Sequence, residues 1–384
     1  MKIAAVISEY NPFHNGHKYQ VDTIKKEFDA IVAIMSGNFV QRGDIALTDK
    51  WTRADMALKN GIDLVLELPV ISALNSAELF ARGGVFVADK TGVIDSLFFG
   101  SECGDIDLLK KTAEMILNEP EMIKQKIKEN LKCGMSYPTA VKNAWAGKID
   151  TSVIENPNNI LAVEYIKALM KYKSSIKPRT VKRIGAGYNE SGYDGIFQSA
   201  TGIRERIKNG ENTEAYTPKN VHDILKNAVK FSNDGLTALL RYKVLSVPEK
   251  IKEINDVSEG LENRIYEAVK IGGNFEDIAG YIKSKRYTMA RIKRILISII
   301  LDLDKDIMGK EPDYIRVLGM NKKGMEILKM MRKSAKLPIV VKTADFSSDI
   351  LNKDILASDI AALSKNPYAA WGKDFKKSPI IYNE

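Results

Sequence analysis

Short apolar segments alternate with amphipathic stretches through the first hundred residues of the chain. Four of the apolar segments are rich in Val, Ile or Phe and end at polar or turn residues, which is typical of buried parallel strands: residues 3–10, 30–36, 64–70 and 96–102. Apolar residues at helical spacing predict helices between them, over 16–27, 50–60 and 75–89. The alternation predicts an α/β, Rossmann-like architecture whose parallel sheet binds ligands at the carboxyl ends of its strands.

Beyond residues 210–220 the chain is predicted to be mostly helical through about residue 330, and its last fifty residues show a mixed pattern. Helices interrupted at Pro120 and at 134–138 form an expected insertion over 107–150, and further segments predict a helix over 156–175, a fifth strand over 180–187 and a helix starting at 202–210. Residues 210–220 are polar and turn-rich. We therefore expect one domain over 1–212 and a second, mostly α-helical and basic domain over 213–384.

Composition and charge narrow the class of protein. Of the 384 residues, 45% are hydrophobic and 28% are charged, which excludes a disordered chain and a collagen-like fibre. The longest apolar runs are well short of the ~20 residues of a membrane span, and the N-terminus shows no secretory cleavage site, so no membrane segment is expected. Two cysteines form no disulfide framework, which favours the cytoplasm.

Basic residues are concentrated in the later part of the chain. Residues 1–150 contain 18 Lys and Arg against 20 Asp and Glu, whereas the remainder contains 40 against 29. A basic surface favours phosphate-rich partners such as nucleic acid, although it also serves solubility.

The residues best suited to phosphate chemistry are E-Y-N-P-F-H-N-G-H, at positions 9–17, between the first strand and the first helix. Imidazole donors at His14 and His17, together with the backbone amides of a helix N-terminus, can stabilise charge that develops on an α-phosphate. Gly16 lets a nucleotide approach the backbone closely. The alternative is two ordinary histidines, but the chain has only three and two of them lie here.

A second group of polar residues lies in Q-S-A-T-G-I-R, at positions 198–204. The hydroxyl groups of Ser199 and Thr201 at a helix start, with the Arg204 guanidinium one turn later, would form an anion-binding group. Taken alone, the same residues also fit a simple helix cap with an exposed arginine.

Both segments resemble known motifs. H-N-G-H resembles the H-x-G-H signature of the nucleotidyltransferase superfamily, and Q-S-A-T-G-I-R resembles its I-S-x-T-x-I-R motif. Six further segments extend the resemblance over nearly the whole chain to the bacterial tRNA(Met) cytidine acetate ligase family: M-S-G-N-F-V-Q-R-G (35–43), D-K-W-x-R-x-x-M-A (49–57), L-F-F-G-S-E (97–102), P-N-N-I-L (157–161), K-R-Y-T-x-x-R (285–291) and Y-I-R-V-L-G-M (314–320).

The resemblance implies an enzyme that uses ATP to activate acetate as acetyl-adenylate. It then implies transfer of the acetyl group to N4 of the wobble cytidine of elongator tRNA(Met), with Mg²⁺ held mainly by the phosphate oxygens of ATP and by water. Catalytic roles are expected for His14, His17, Ser199, Thr201 and Arg204. The expected ATP-binding residues are Ile7, Ser8, Glu9, Tyr10, Asn11, Pro12, Phe13, Asn15, Gly16, Lys18, Tyr19, Gln20, Gly100, Asn158, Asn159 and Arg183.

Several residues near the predicted strand ends allow two interpretations. Contact with acetate or phosphate, or a plain structural role, is possible for Ser36, Gly37, Asn38, Gln41, Arg42 and Lys50. Arg53 is expected to be solvated. Asn158 and Asn159 either reach the nucleotide or cap a helix, Glu102 is a further cap candidate, and Arg183 either faces the phosphates or forms an ion pair.

A basic stretch with an aromatic residue predicts an RNA-binding surface in the second half of the chain, with a solvated helical face as the alternative. Its candidate tRNA contacts are Lys283, Lys285, Arg286, Tyr287, Arg291, Lys293, Arg294, Lys322 and Lys323. Two other functions are also compatible with the sequence. One is adenylyl transfer to a small phosphorylated metabolite, and the other is tRNA binding without catalysis.

Overall fold

The computed structural model describes residues 1–183, 195–258, 260–285, 287–366 and 368–383. Their strands are β1 (Ile3–Ser8), β2 (Ala30–Ser36), β3 (Phe39–Val40), β4 (Asp44–Ile45), β5 (Leu64–Leu68), β6 (Ser96–Ser101), β7 (Lys177–Lys182), β8 (Ile315–Met320), β9 (Ile339–Val340) and β10 (Ile380–Ile381).

The helices of the described residues follow the same chain order. They are α1 (Asn15–Ile24), α2 (Lys50–Leu58), α3 (Val70–Ala73), α4 (Ala77–Thr91), α5 (Ile106–Leu117), α6 (Glu121–Lys132), α7 (Tyr137–Trp145), α8 (Pro157–Lys171), α9 (Ala200–Lys208), α10 (Lys219–Asn227), α11 (Thr237–Ser246), α12 (Leu261–Ile271), α13 (Phe275–Ile282), α14 (Met289–Leu301), α15 (Lys305–Gly309), α16 (Lys322–Ser334), α17 (Asp349–Lys365) and α18 (Lys373–Lys376).

One sheet organises the fold, in the order β10-β8-β5-β2-β1-β6-β7, with β9 also pairing with β8. Neighbours from β5 to β7 are parallel, whereas β8 is antiparallel to β5. Chain order runs outward from β1 in both directions, through β2 and β5 on one side and through β6 and β7 on the other. The crevice between the carboxyl ends of β1 and β6 is therefore the topological switch point, where such sheets bind ligands.

Helices cover both faces of the sheet, so its central strands are apolar throughout. All seven residues of β2 and all five of β5 are buried. Side chains alternate along β1: Ile3 and Ala5 join a core formed with α4 and α8, whereas Ala4 and Val6 join a core formed with α1 and α2. The predicted α/β class and parallel sheet are confirmed.

The later part of the chain combines a helical core with a return to the sheet. Helices α11 to α14 and α17 share an apolar core, to which Phe39 and Ile45 of the β3–β4 hairpin also contribute. Within this mostly helical region, residues 315–320 form β8, which pairs with β5 and which the sequence did not predict. The division into domains at residue 212 stays a prediction.

Most predicted elements differ from the observed ones only at their ends. The fifth strand begins three residues earlier than predicted, at Lys177, and its predicted residues 184–187 lie outside the described part of the chain. The expected insertion contains α5, α6 and α7. No helix in the described ranges has both the length and the apolar character that a membrane crossing requires.

Candidate active site

The first helix begins with a reciprocal pair of histidine hydrogen bonds. His14 is the N-cap of α1, and its Nδ1 accepts a hydrogen bond from the Gly16 amide at 3.0 Å. Nδ1 of His17 accepts one from the His14 amide at 3.2 Å. A backbone amide can only donate, so Nδ1 must carry the lone pair in both rings. Each neutral imidazole therefore has its proton on Nε2, where it can donate to a ligand.

Burial keeps these two imidazoles neutral. The rings stack with their centroids 3.7 Å apart, and His14 is buried. Burial, reinforced by the charges of Arg183 and Arg204, lowers the pKa of His14 to about 3. Burial and then the neighbouring His14 likewise lower the pKa of His17 well below its ordinary value. At neutral pH the pair offers two neutral N–H donors.

The residue between the histidines must be small because His14 lies across it. A Cβ at Gly16 would lie 2.9 Å from Cε1 of His14, which is closer than real Cβ atoms approach, and 3.1 Å from Nδ1, which is tighter than most such contacts. The aromatic rings of Tyr10 and Phe13 pack against His17 from the other side, with centroid distances of 4.9 and 5.4 Å. The imidazole pair is thus fixed by its surroundings, which is the pre-organisation that electrostatic catalysis requires.

A cleft of about 230 Å³ opens beside the histidine pair, at the switch point between β1 and β6. Gly100 near the end of β6 lies against Arg183, where a Cβ would be 3.1 Å from Cγ of the arginine. The lining residues are His14, Gly16, His17, Tyr19, Gln20, Gly100, Val181, Lys182, Arg183, Phe197, Gln198 and Ser199. Neutral imidazole donors with basic side chains suit an anionic ligand.

Helix α9 brings the second polar motif to the first. Ser199 is the N-cap of α9, and its hydroxyl accepts from the Gly202 amide at 3.1 Å. Arg204 donates to the backbone oxygen of Asn11 at 2.8 Å and to the hydroxyl of Thr201 at 3.1 Å. Residues almost two hundred positions apart therefore meet at one site. Ser199 lines the cleft, whereas Arg204 fixes the loop that leads into α1.

Asn15 makes a second connection between α1 and the region around α9. Its side-chain amide donates to the backbone oxygens of Ile196 and Ala215, at 3.0 and 2.9 Å. Tyr19 and Gln20, further along the same helix, line the cleft, whereas Lys18 forms an ion pair with Asp22. Of the expected ATP-binding residues on α1, Asn15 thus connects the helix to the region around α9, and Tyr19 and Gln20 face the cleft.

The end of β1 is held in place from inside the protein. The carboxylate of Glu9 accepts a hydrogen bond from the Gln41 amide at 2.9 Å. Burial raises the pKa of Glu9, although this hydrogen bond acts to lower it. Of the other expected residues here, Tyr10 and Asn11 are buried in the loop after β1. Ile7, Ser8 and Pro12 do not line the cleft.

Arg53 is fully buried, so the prediction that it is solvated is wrong. Its guanidinium donates to the backbone oxygens of Thr48 at 3.1 Å and Ser36 at 3.0 Å, and also to those of Glu9 and Gly37. Burial lowers its pKa to about 10, so it stays charged at neutral pH. Arg53 therefore ties together the loops that follow β1 and β2.

Lys50 faces neither solvent nor the cleft. Its ammonium group donates to Glu67 at 2.7 Å and to Asp374 at 2.8 Å, and Arg316 contacts the same two carboxylates at 3.2 and 2.8 Å. All four side chains are buried. This network compensates its charges internally, as buried ions require.

The other acetate or phosphate candidates also lie behind the cleft rather than along it. The side chain of Asn38 accepts from the Lys50 amide at 2.8 Å, and Gln41 donates to the Asn75 backbone oxygen at 3.3 Å. Ser36 and Gly37 offer their backbone oxygens to Arg53. A direct contact of these residues with acetate stays a prediction.

Asn158 and Asn159 lock the loop after β6 to the start of α8. The Glu102 carboxylate accepts from the Asn158 side chain at 2.6 Å and from the Asn159 amide at 2.8 Å. In return, the Asn159 side chain accepts from the Glu102 and Cys103 amides at 2.8 and 3.2 Å. The cap interpretation of Glu102 is therefore correct. The two asparagines position the loop beyond Gly100.

The candidate RNA contacts on α14 are largely engaged within the protein. Lys293 pairs with Asp44 at 3.1 Å and with Glu276 at 2.8 Å. Arg294 donates to the Gln41 backbone oxygen at 3.2 Å. Arg291 lies over the ring of Tyr287 and donates to the Asp256 backbone oxygen at 3.1 Å. Lys283 and Lys285 are exposed, and Arg286 lies outside the described residues.

Lys322 and Lys323 lie at the opposite edge of the sheet from the cleft, and their contact with tRNA stays a prediction. Lys323 donates to the backbone oxygen of Asp29, directly before β2 begins. The cleft lies at the opposite, carboxyl ends of the strands. Because β2 has seven residues, its two ends are about 20 Å apart.

Four cleft residues were not among the predicted site residues, and one of them, Val181, is an apolar residue of β7. Lys182 ends β7 beside Arg183, and Phe197 and Gln198 directly precede the helix cap Ser199. The signal for the last two was their position next to a predicted N-cap, since residues before a cap share its anion-binding surroundings. Lys182 lies inside the predicted fifth strand next to Arg183, and the alternation of side chains along a strand gave no reason to expect both of them in the cleft.

Comparisons with known proteins agree with this geometry. A model of the HIGH nucleotidyl transferase family matches residues 1–374. Proteins named tRNA(Met) cytidine acetate ligase from Clostridium perfringens and Clostridium kluyveri are 41% and 42% identical to this chain, over the full length of both partners. The crystal structure of Thermotoga maritima TmcAL bound with α-thio ATP superposes with a TM-score of 0.91, at 34% identity and with full coverage of both chains.

Proposed function

Because the chain belongs to the HIGH nucleotidyl transferase family and, within it, to the tRNA(Met) cytidine acetate ligases, we propose that it acetylates N4 of the wobble cytidine of elongator tRNA(Met) at the expense of ATP. One observation carries the proposal. The imidazole pair, the Gly100 backbone, Arg183 and the Ser199 cap all border one cleft at the switch point of the sheet. Its basic side chains and imidazole donors suit the phosphates of a nucleotide.

In the first proposed step, a carboxylate oxygen of acetate attacks the α-phosphorus of ATP. The bond from that phosphorus to its bridging oxygen breaks, and pyrophosphate leaves with the electron pair. Neutral Nε2–H groups of His14 and His17 donate to the α-phosphate oxygens as negative charge accumulates on them. Arg183 and the amides at the start of α9, beside Ser199, stabilise the departing pyrophosphate.

The side chains that line the cleft include no carboxylate within the described part of the chain. Mg²⁺ that accompanies ATP would accordingly be held by phosphate oxygens and water, which is its usual coordination. Its contribution would be to neutralise the charge of the triphosphate and of pyrophosphate.

In the second proposed step, N4 of cytidine attacks the acetyl carbonyl carbon. AMP leaves with the electron pair, and N4 loses a proton. An exocyclic amine is a weak nucleophile, so it requires the reactive mixed anhydride, which the cleft must shield from water. Cys103 and Cys133 are free thiols, which suits the reducing cytoplasm, where we propose that the reaction takes place.

Labelled acetate tests this function. The protein is incubated with [¹⁴C]acetate, MgATP and elongator tRNA(Met), and label in the RNA is counted. The matched control is the same RNA with uridine at the wobble position, which lacks the N4 amine. We expect label only in the cytidine-containing RNA, and none with His14→Asn. No label with the wild-type protein would contradict the proposal.

A further inference from the structure

The stretch from the end of α17 through α18 exposes three large aromatic side chains. Tyr368 is 93% exposed, Trp371 70% and Phe375 57%. We call the described residues of 365–377 the C-terminal aromatic segment. Single exposed apolar residues are common on protein surfaces, but three rings within eight positions form a cluster that marks a contact surface.

The exposed charges of the C-terminal aromatic segment are all positive. Its only acidic residue, Asp374, is buried. Lys373 pairs with Asp49 at 2.8 Å, whereas Lys376 and Lys377 have no ion pair within the described ranges. The surface presented to a partner consists of the three rings and the exposed lysines at 365, 373, 376 and 377. Such a surface is complementary to an anion with flat, apolar faces.

The backbone that carries Trp371 and Phe375 is anchored to the interior of the protein. Asp374 accepts hydrogen bonds from Lys50 and Arg316, both at 2.8 Å, in the buried network described above. The Gly372 amide donates to Asp359 at 2.7 Å, and the φ of Gly372 is +76°, which favours glycine. A partner that binds here does not have to order the segment first, which lowers the entropic cost of binding.

The C-terminal aromatic segment lies on the same edge of the sheet as the cleft. Asp374 contacts Lys50 at the start of α2, beside Glu67 near the carboxyl end of β5. Only β2 separates β5 from β1, where the cleft opens. Two strand spacings correspond to about 10 Å, so Asp374, which anchors the segment, lies near the same end of the sheet as the cleft.

We propose that the C-terminal aromatic segment binds the RNA substrate outside the cleft, with unpaired bases stacked on Trp371 and Tyr368 and phosphates paired with Lys376 and Lys377. This inference rests on the proposed function, because that function supplies the RNA. Aromatic rings stack on any base, and adjacent lysines neutralise the backbone. A lipid surface would also suit rings and lysines, but a bilayer lying on this edge of the sheet would obstruct RNA access to the cleft.

Two test variants, a conservative variant Trp371→Phe and a control variant test the inference. Trp371→Ala removes a ring, Lys376→Ala/Lys377→Ala removes two cations, and Tyr242→Ala removes a ring that is 68% exposed on α11 as the matched control. For each, the dissociation constant for tRNA(Met) is measured by filter binding across a salt series. Acetate-dependent ATP–pyrophosphate exchange without RNA, together with the urea midpoint, shows that the cleft and the fold are intact.

We expect Trp371→Ala to weaken tRNA binding roughly tenfold, with partial recovery in Trp371→Phe. The lysine double variant should reduce the slope of log K against log salt by about 1.5, because two phosphate contacts are lost. Exchange should not change in any variant. The control Tyr242→Ala should match the wild type in every measurement.

The inference would be overturned if Trp371→Ala and Lys376→Ala/Lys377→Ala both bound tRNA with the affinity and the salt dependence of the wild type. A loss of binding to anionic phosphatidylserine vesicles in Trp371→Ala while its tRNA affinity is unchanged would also overturn it. Failure of the proposed function has a different signature, since the wild-type protein would then not acetylate the RNA at all. Weakened RNA binding by the variants would support the aromatic segment even in that case.

Discussion

Replacement of His14 by Asn removes a buried titratable group while it keeps the helix cap. The Asn Oδ1 atom can take the place of Nδ1 and accept from the Gly16 amide, which Nδ1 does at 3.0 Å in the wild type. The Nε2–H donor and the titration of the ring are both lost. The variant therefore separates the electrostatic role of His14 from its structural role.

The size of the stability effect follows from the pKa of His14. Its ordinary pKa is 6.5, and burial lowers it to about 3 in the folded protein. Between these pH values the unfolded chain binds a proton that the folded protein does not, so stability falls as the pH decreases below 6.5. At 1.36 kcal/mol per pH unit, we expect His14 to cost about 2 kcal/mol of stability between pH 7 and pH 5.

Urea unfolding at pH 7 and at pH 5 measures this cost for the wild type and for His14→Asn. His17 is present in both proteins, so its contribution largely cancels. We expect the wild type to lose about 2 kcal/mol more than the variant on acidification. Equal losses in the two proteins would refute the inference that His14 is held as a neutral donor.

Three further substitutions test other parts of the site. Gly16→Ala should displace the His14 ring and reduce acetate-dependent ATP–pyrophosphate exchange at least ~100-fold, with little change in the urea midpoint. A near-normal exchange rate would contradict this. Arg204→Gln should lose its charge-assisted bond to Asn11 and raise KM for ATP about tenfold more than it lowers kcat. An unchanged KM for ATP in steady-state kinetics would contradict this. Arg53→Met should destabilise the protein by about 3–5 kcal/mol because it leaves buried carbonyl groups unpaired, and a loss under 1 kcal/mol in urea would disprove this.

The parallel core was predictable because its signals are local. Strands β2 and β5 are continuous apolar runs that end at turn residues, and a strand covered on both faces requires such a run. The histidine pair was predictable for the same reason, since a cap, a glycine and two imidazoles fit within four positions. Local pattern thus determines both the sheet and the residues at its switch point.

The elements that were missed depend on partners far away in the sequence. Strand β8 pairs with β5 from a position about 250 residues later, and the surrounding helices masked its pattern. Arg53 and Lys50 are cations, which are seldom fully buried. They are buried here because backbone oxygens, Glu67 and Asp374 surround them, and these partners come together only in the folded chain.

The most direct test of the central claim is isotope exchange between pyrophosphate and ATP in the absence of tRNA. If the cleft activates acetate on the α-phosphate, labelled pyrophosphate must enter ATP only when acetate is present. We expect exchange that saturates with acetate and is lost in His14→Asn. Exchange that is independent of acetate, or that requires a phosphorylated metabolite in its place, would contradict the account.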